Sequence, residues 1–173
     1  MFPDLRIAGS GNVPSALTDV RDIGRYFAKL IRDSRTENKY VLVYNELWTQ
    51  NQIWDALSRI SGEDIPKNYT SAAELESTIA SASAAVEAGA KDVTDITKLI
   101  GAQYRYSWGI RGDNTPEYAK FLGYVTSREL YPDMGFIRFE QFLKELVEDG
   151  GHLLYEEKRA QLQEMLKAAS KAN

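Results

Sequence analysis

The run Tyr40-Val41-Leu42-Val43-Tyr44 is nearly continuous in its apolarity and built from β-branched and aromatic residues. A half-exposed strand alternates apolar and polar side chains, whereas an unbroken run suits a strand covered on both faces. The other segments with strand character, Leu5–Ala8 and Ser15–Thr18, are short and bounded by turn residues. Three or four short strands, one of them doubly covered, make too small a sheet to stand alone. The chain therefore reads as a helix-rich α/β piece of a larger fold.

Helical signals occupy most of the remainder. Asp19 is placed to cap a helix at a backbone N–H near Asp22, and Ile23, Tyr26, Phe27, Leu30 and Ile31 follow on one stripe. Asp33 to Lys39 is a polar loop. Thr49-Gln50-Asn51-Gln52 forms a capping box before Ile53, Trp54, Leu57 and Ile60, and Gly62 closes that helix. A second box, Ser71 to Glu74, opens a helix that buries Leu75 and Ile79. Ser81 to Lys91, rich in Ala, Ser and Gly, is compatible with helix or loop. Val93 to Trp108 predicts another helix, with Ile96, Leu99, Ile100, Gln103, Tyr104 and Ser107 around one face. Ile137 to Val147 has helical spacing and ends at Gly150-Gly151. The spacing of Leu162, Met165 and Leu166 predicts an amphipathic tail helix in residues 151–173.

Composition narrows the function classes. The sequence of 173 residues carries a net charge of -4 and no cysteine. Binding to phosphate backbones needs a basic surface, so a nucleic-acid partner is not expected. Without thiols there are neither disulfides nor thiolate metal sites, and with His152 as the single histidine no histidine metal cluster forms. No metal is expected. The first residues include Pro3, Asp4 and Arg6 and lack the apolar run of a signal peptide. No stretch reaches the roughly 18 consecutive apolar residues of a membrane helix. A soluble, cytoplasmic protein is expected.

Among candidate motifs, Gly9-Ser10-Gly11 follows a strand as a dinucleotide-binding loop would. Its third glycine position is Pro14, and a strand rather than a helix follows, so the turn reading prevails. Arg111-Gly112-Asp113 spells an adhesion tripeptide at a helix end, a coincidence in an unsecreted chain. Asp19 and Asp22 flank Arg21 where a helix begins, which suits the helix dipole better than catalysis. His152, after Gly150-Gly151, reads as a favourable cation near a helix end. Aromatics concentrate between positions 104 and 124, either as core or as the wall of a pocket for a flat organic ligand. The substrate-binding candidates are Tyr104, Tyr106, Trp108, Tyr118 and Tyr124.

Four segments, in order, resemble the isoflavone-reductase-like or NmrA-like branch of the atypical short-chain dehydrogenases. They are Gly11 to Val41, with its Asp22-Ile23-Gly24 helix and the loop to Lys39; Leu47 to Gln52; Ile110 to Asn114, like a Lys-Gly-Asp turn; and Ser127 to Leu146. Together they span roughly Ile7 to Val147. The resemblance implies a Rossmann-type protein that uses NADPH to reduce small phenolic or related aromatic compounds. It also implies that the glycine-rich loop, the phosphate-reading basic residues and the catalytic lysine belong to a half preceding this one. Residues 1–150 would then be the C-terminal, substrate-side lobe of an NmrA-like domain, with the nucleotide-binding half absent and 151–173 as tail. Where plant members often carry a histidine, this chain has Tyr106, the leading candidate for a polar contact to ligand. No catalytic residue is assigned, and no cofactor is expected for this chain alone.

Three functional readings stay open at this stage. One is the substrate-binding portion of an NADPH-dependent oxidoreductase, inactive by itself in hydride transfer. Another is a non-catalytic NmrA-like regulatory or binding protein. The third is a lobe repurposed for redox-free activity on a small molecule. A small aromatic ligand is expected and, under any of the three, a polypeptide partner that is either a second copy or the missing N-terminal half, because an uncovered strand edge and apolar faces favour association.

Overall fold

The computed structural model describes residues 5–89 and 93–149. The tail helix, Gly150-Gly151 and His152 lie outside the described residues. In chain order the elements are β1 Ile7–Ala8, β2 Pro14–Leu17, α1 Val20–Leu30, a 3-10 turn Ser34–Thr36, β3 Val41–Leu42, β4 Glu46–Thr49, α2 Gln50–Ser61 and β5 Tyr69–Thr70. They continue with α3 Ala72–Glu87, α4 Val93–Tyr106, a π-helical turn Ser107–Arg111, α5 Pro116–Phe121, β6 Val125–Thr126, α6 Ser127–Leu130 and α7 Phe139–Asp149.

Among the described residues the strands form three separate two-stranded ladders instead of one small sheet. β1 pairs with β5 and β3 with β6, both parallel, while β2 and β4 are antiparallel. Local chemistry keeps them short. Thr49 ends β4 and caps α2, Ser71 follows β5 and caps α3, and Thr126 ends β6 and caps α6. An N-cap residue is itself extended, so each of these strands runs straight into the start of a helix. Both capping boxes form as the sequence predicts, and Gly62 closes α2 in the left-handed region at φ 74°. The Ala- and Ser-rich segment is helical through Glu87.

The core sits where β1 meets the helical pair α3–α4. Ile7 and Ala8 are fully buried, and Ala8, Leu75 and Ala102 form a cluster flanked by Ile79, Tyr106 and Ile110. Gly109 permits this approach. A Cβ at that position would stand 2.4 Å from the Ala8 Cβ, so the π turn packs against β1 only because it carries glycine there.

Helix α1 corrects the expectation of a single apolar stripe. Its inward face holds Asp22 and Tyr26, both with no exposure, while Val20, Ile23, Phe27 and Ile31 are 49%, 51%, 62% and 61% exposed. Asp22 decides the orientation. Its carboxylate accepts from Arg25 Nη1 at 2.5 Å, Asn45 Nδ2 at 2.8 Å and the Ile137 amide at 2.7 Å. The Tyr26 hydroxyl donates to the Tyr44 carbonyl at 3.4 Å. A buried carboxylate is retained only with such partners, so the polar network turns the apolar stripe outward. Strand β3 is likewise half-buried and, among the described residues, pairs with β6 alone.

Candidate functional site: a cleft between two helices

Two cavities distinguish themselves by size and lining. The smaller, about 180 Å³, lies beside Leu17, Asp19, Asn45, Ile137, Phe139 and Phe142. It is too small for a flat organic molecule, which occupies a pocket of roughly 300–1,000 Å³. The larger, about 810 Å³, opens between α3 and α4 and is lined by Glu76, Ile79 and Ala80 on one side and Ile100, Gln103, Tyr104, Tyr106, Ser107 and Arg111 on the other.

Helical periodicity builds this lining. Glu76, Ile79 and Ala80 follow an i, i+3, i+4 spacing on α3, and Ile100, Gln103, Tyr104 and Ser107 continue the same spacing along α4 into the π turn. The lining mixes apolar side chains, Ile79, Ala80, Ile100 and Tyr104, with polar ones, of which Tyr106, Ser107 and Arg111 stand at the end where α4 becomes the π turn. There the Tyr106 hydroxyl donates to Glu76 Oε1 at 2.6 Å, joining the two helices across the floor. This bond, chiefly, holds the phenol above its ordinary pKa and keeps its proton in place. The Arg111 guanidinium lies 5.8 Å from the centre of the Tyr106 ring.

Asp113 fastens the π turn. Its carboxylate accepts from Ser107 Oγ at 2.9 Å and from Arg111 Nε at 2.8 Å, with a further bond from Arg111 Nη2. Its amide donates to the Ser107 carbonyl at 3.1 Å, and Gly112 at φ 73° lets the chain reverse. The Arg-Gly-Asp tripeptide is thus an internal staple whose charges are spent on each other.

The five aromatic candidates fall in different places. Tyr104 and Tyr106 line the cleft. Trp108 packs on Tyr104 with ring centres 5.1 Å apart, just outside the lining. Tyr118 stacks on Phe121 in α5, and Tyr124 stacks on Tyr40 beside the β3–β6 ladder. Glu76 and Arg111 escaped the sequence reading, as did the site roles of Gln103 and Ser107. The usable signal was the mixed polar and apolar spacing shared by the two helices, and which helices face each other is a tertiary fact.

The Gly9–Gly11 turn does not fit a dinucleotide. A Cβ at Gly9 would stand 2.7 Å from Ile110 Cδ1, and one at Gly11 would stand 2.6 Å from Ile7 Cγ2 and 2.7 Å from Asn51 Oδ1. The glycines make room for the chain's own side chains. Strand β2 follows the turn, so no helix N-terminus is there to receive a pyrophosphate.

No family model matches the chain. Relatives are nonetheless clear. The chain is 43% identical over 151 residues to an asnovolin J 5',6'-dehydrogenase of Aspergillus novofumigatus, covering 87% of this chain and 46% of that protein. It is 26% identical over 138 residues to an isoflavone reductase homolog of Lupinus albus, covering 79% and 40%. The fold is similar to that of a crystalline isoflavone reductase, with a TM-score of 0.65 at 21% identity over 85% of this chain and 44% of that one. The homologues and structural neighbours of the chain are isoflavone-reductase-like proteins. A leucoanthocyanidin reductase from Vitis vinifera, solved with NADPH, has a TM-score of 0.66 at 20% identity, covering 82% of this chain and 44% of that one. The chain spans less than half the length of these isoflavone-reductase-like relatives. Among the described residues no helix is long and apolar enough to cross a membrane.

Proposed function

We propose that the chain is the substrate-binding portion of an isoflavone-reductase-like NADPH-dependent oxidoreductase acting on small phenolic or aromatic compounds. The α3–α4 cleft is its ligand site. The observation that carries this reading is the lining itself: a slot of about 810 Å³ in which Ile79, Ala80, Ile100 and Tyr104 alternate with the polar Glu76, Gln103, Tyr106, Ser107 and Arg111. The dehydrogenase and reductase names of its relatives are in keeping with it. Tyr104 forms the aromatic wall and Tyr106 the polar contact, with Trp108 supporting Tyr104 from behind. Tyr118 and Tyr124 take a secondary place in this reading, since neither lines the cleft.

The chain alone carries out no hydride transfer in this reading, because the Gly9–Gly11 turn, which a dinucleotide would need open, is closed by Ile110, Ile7 and Asn51. The partner is further polypeptide of the kind that completes its relatives. Val20, Ile23, Phe27 and Ile31 would lie against it, as would the edge of strand β3 that is unpaired among the described residues. The absence of cysteine favours the cytoplasm.

The test is binding of 2-naphthol to the purified chain, followed by amide chemical shifts, with Ile100→Trp as the control. Ile100 is 47% exposed, so a larger side chain there fills the slot without entering the core. Saturable shifts centred on residues 76–80 and 100–111, lost in the Ile100→Trp chain, are expected. Shifts elsewhere, or binding unaffected by Ile100→Trp, would overturn the assignment of the cleft.

A further inference from the structure

We propose that Glu76 sets the ligand specificity of the cleft: by taking the Tyr106 proton it leaves hydrogen-bond acceptors at the polar end, which selects a ligand that donates a hydroxyl. This rests on the reading of the cleft as the ligand site.

A phenol has one proton and a serine hydroxyl has one. The Tyr106 proton is committed to Glu76 Oε1 at 2.6 Å, and the Ser107 proton to Asp113 at 2.9 Å. Arg111, the cation of the lining, is engaged with Asp113 through two of its nitrogens. What Glu76, Tyr106 and Ser107 can offer a ligand is therefore lone pairs: those of the Tyr106 oxygen, the Ser107 oxygen and the second oxygen of Glu76, while Arg111 keeps N–H groups beyond the two given to Asp113. Gln103 can donate or accept and so does not discriminate. A ligand hydroxyl placed here gains a bond to a carboxylate or to a phenol oxygen that the carboxylate polarises. An ether or ketone oxygen beside Glu76 and Tyr106 meets acceptors, and recovers the water it gives up only by turning instead to Gln103 or the remaining N–H groups of Arg111. Sites built around such groups reject the wrong analogue more strongly than apolar slots reject a methyl group. Proton retention on Tyr106 at neutral pH supports the same assignment of donor and acceptor.

Glu76 thereby acts through Tyr106 as a positioning residue and also directly as an acceptor. The two roles separate by mutation. Glu76→Leu removes the acceptor and releases the Tyr106 proton toward the ligand, so the polar end becomes a donor. Tyr106→Phe removes the phenol but leaves the carboxylate able to accept the ligand hydroxyl.

The experiment compares 2-naphthol with 2-methoxynaphthalene, of the same ring and differing in the one proton, by chemical-shift titration of the full chain. The unsubstituted chain is expected to prefer 2-naphthol by about tenfold, as an open cleft should for one charge-assisted hydrogen bond. In Glu76→Leu the ratio is expected to fall to one or reverse, while Tyr106→Phe retains the preference for 2-naphthol. Glu76→Gln, of equal size and able to donate as well as accept, should lie between. Loss of affinity for both probes in equal proportion, as a purely structural Glu76 would give, overturns the proposal. So does equal binding of the two probes to the unsubstituted chain, although the cleft would then stand as a ligand site. Binding of neither probe in the cleft overturns the cleft assignment itself and this proposal with it.

Discussion

Replacing Gly109 by alanine puts a methyl group where the structure has no space. The new Cβ would stand 2.4 Å from the Ala8 Cβ, 3.5 Å from the Ala8 Cα and 3.3 Å from Gln50 Oε1. Two carbon atoms at rest are separated by about 3.5–4.0 Å, so one side must move by more than 1 Å. Neither side is loose. Ala8 is fully buried, its amide donates to Gln50 Oε1 at 2.8 Å, and its neighbours are tied to β5 through Ile7 N–Asn68 O at 2.7 Å and Gly9 N–Thr70 O at 2.8 Å. Inserting a methyl group into a packed core costs about 1–3 kcal/mol. Relief of glycine entropy in a helical turn returns about 0.5–1 kcal/mol. The net loss is about 1–2 kcal/mol, which at a urea dependence of about 2 kcal/mol per molar lowers the unfolding midpoint by about 0.5–1 M. The cause can be isolated with the reciprocal change. Ala8→Gly alone costs about 1 kcal/mol through one lost buried methyl group and a freer strand. The double variant Gly109→Ala, Ala8→Gly carries the methyl group on the other side of the contact and should lie about 1–2 kcal/mol above the sum of the two losses. Urea titration of the four proteins by tryptophan fluorescence measures this. Additivity within about 0.5 kcal/mol would refute the contact as the reason for glycine at position 109.

Asp22→Ala leaves the Ile137 amide and one Asn45 donor without their buried acceptor and is expected to cost about 3–5 kcal/mol in the same titration; a loss below about 1 kcal/mol would mean that the network does not orient α1. Asp19, whose side chain caps α1 and binds Arg21, has its carboxyl held below the usual value chiefly by that arginine. Its contribution is therefore complete above about pH 4–5 and lost as pH falls through the lowered folded value. The stability gap between the unsubstituted chain and Asp19→Asn, which keeps a capping oxygen without the charge, should shrink on acidification from pH 6 to pH 3, and a constant gap would contradict the charge-based account. The exposed stripe of α1 is expected to make the isolated chain self-associate. Phe27→Lys should weaken that association by about ten- to a hundredfold, the worth of one buried phenylalanine, and an unchanged mass in light scattering would place the contact elsewhere.

What the sequence by itself determined is local. Asp19, Thr49 and Ser71 cap their helices because an N-cap needs only a short polar side chain and the amides within three residues of it, and Gly62 ends α2 because a left-handed residue suits glycine. The helix-rich α/β class and the family resemblance came from order and spacing along the chain, which folding does not alter. The tertiary structure decided what depends on distant neighbours. Periodicity shows that Ile23, Phe27 and Ile31 share a side of α1, but Asn45 and Ile137, reaching Asp22, choose which side turns inward. The run at Tyr40–Tyr44 announced a strand in need of cover, and among the described residues the fold gives it β6 alone. The cleft followed the same rule. Glu76 and Tyr106 are thirty residues apart. Nothing in either helix specifies the other, so their hydrogen bond arises only when the burial of Ala8, Leu75 and Ala102 presses α3 and α4 together.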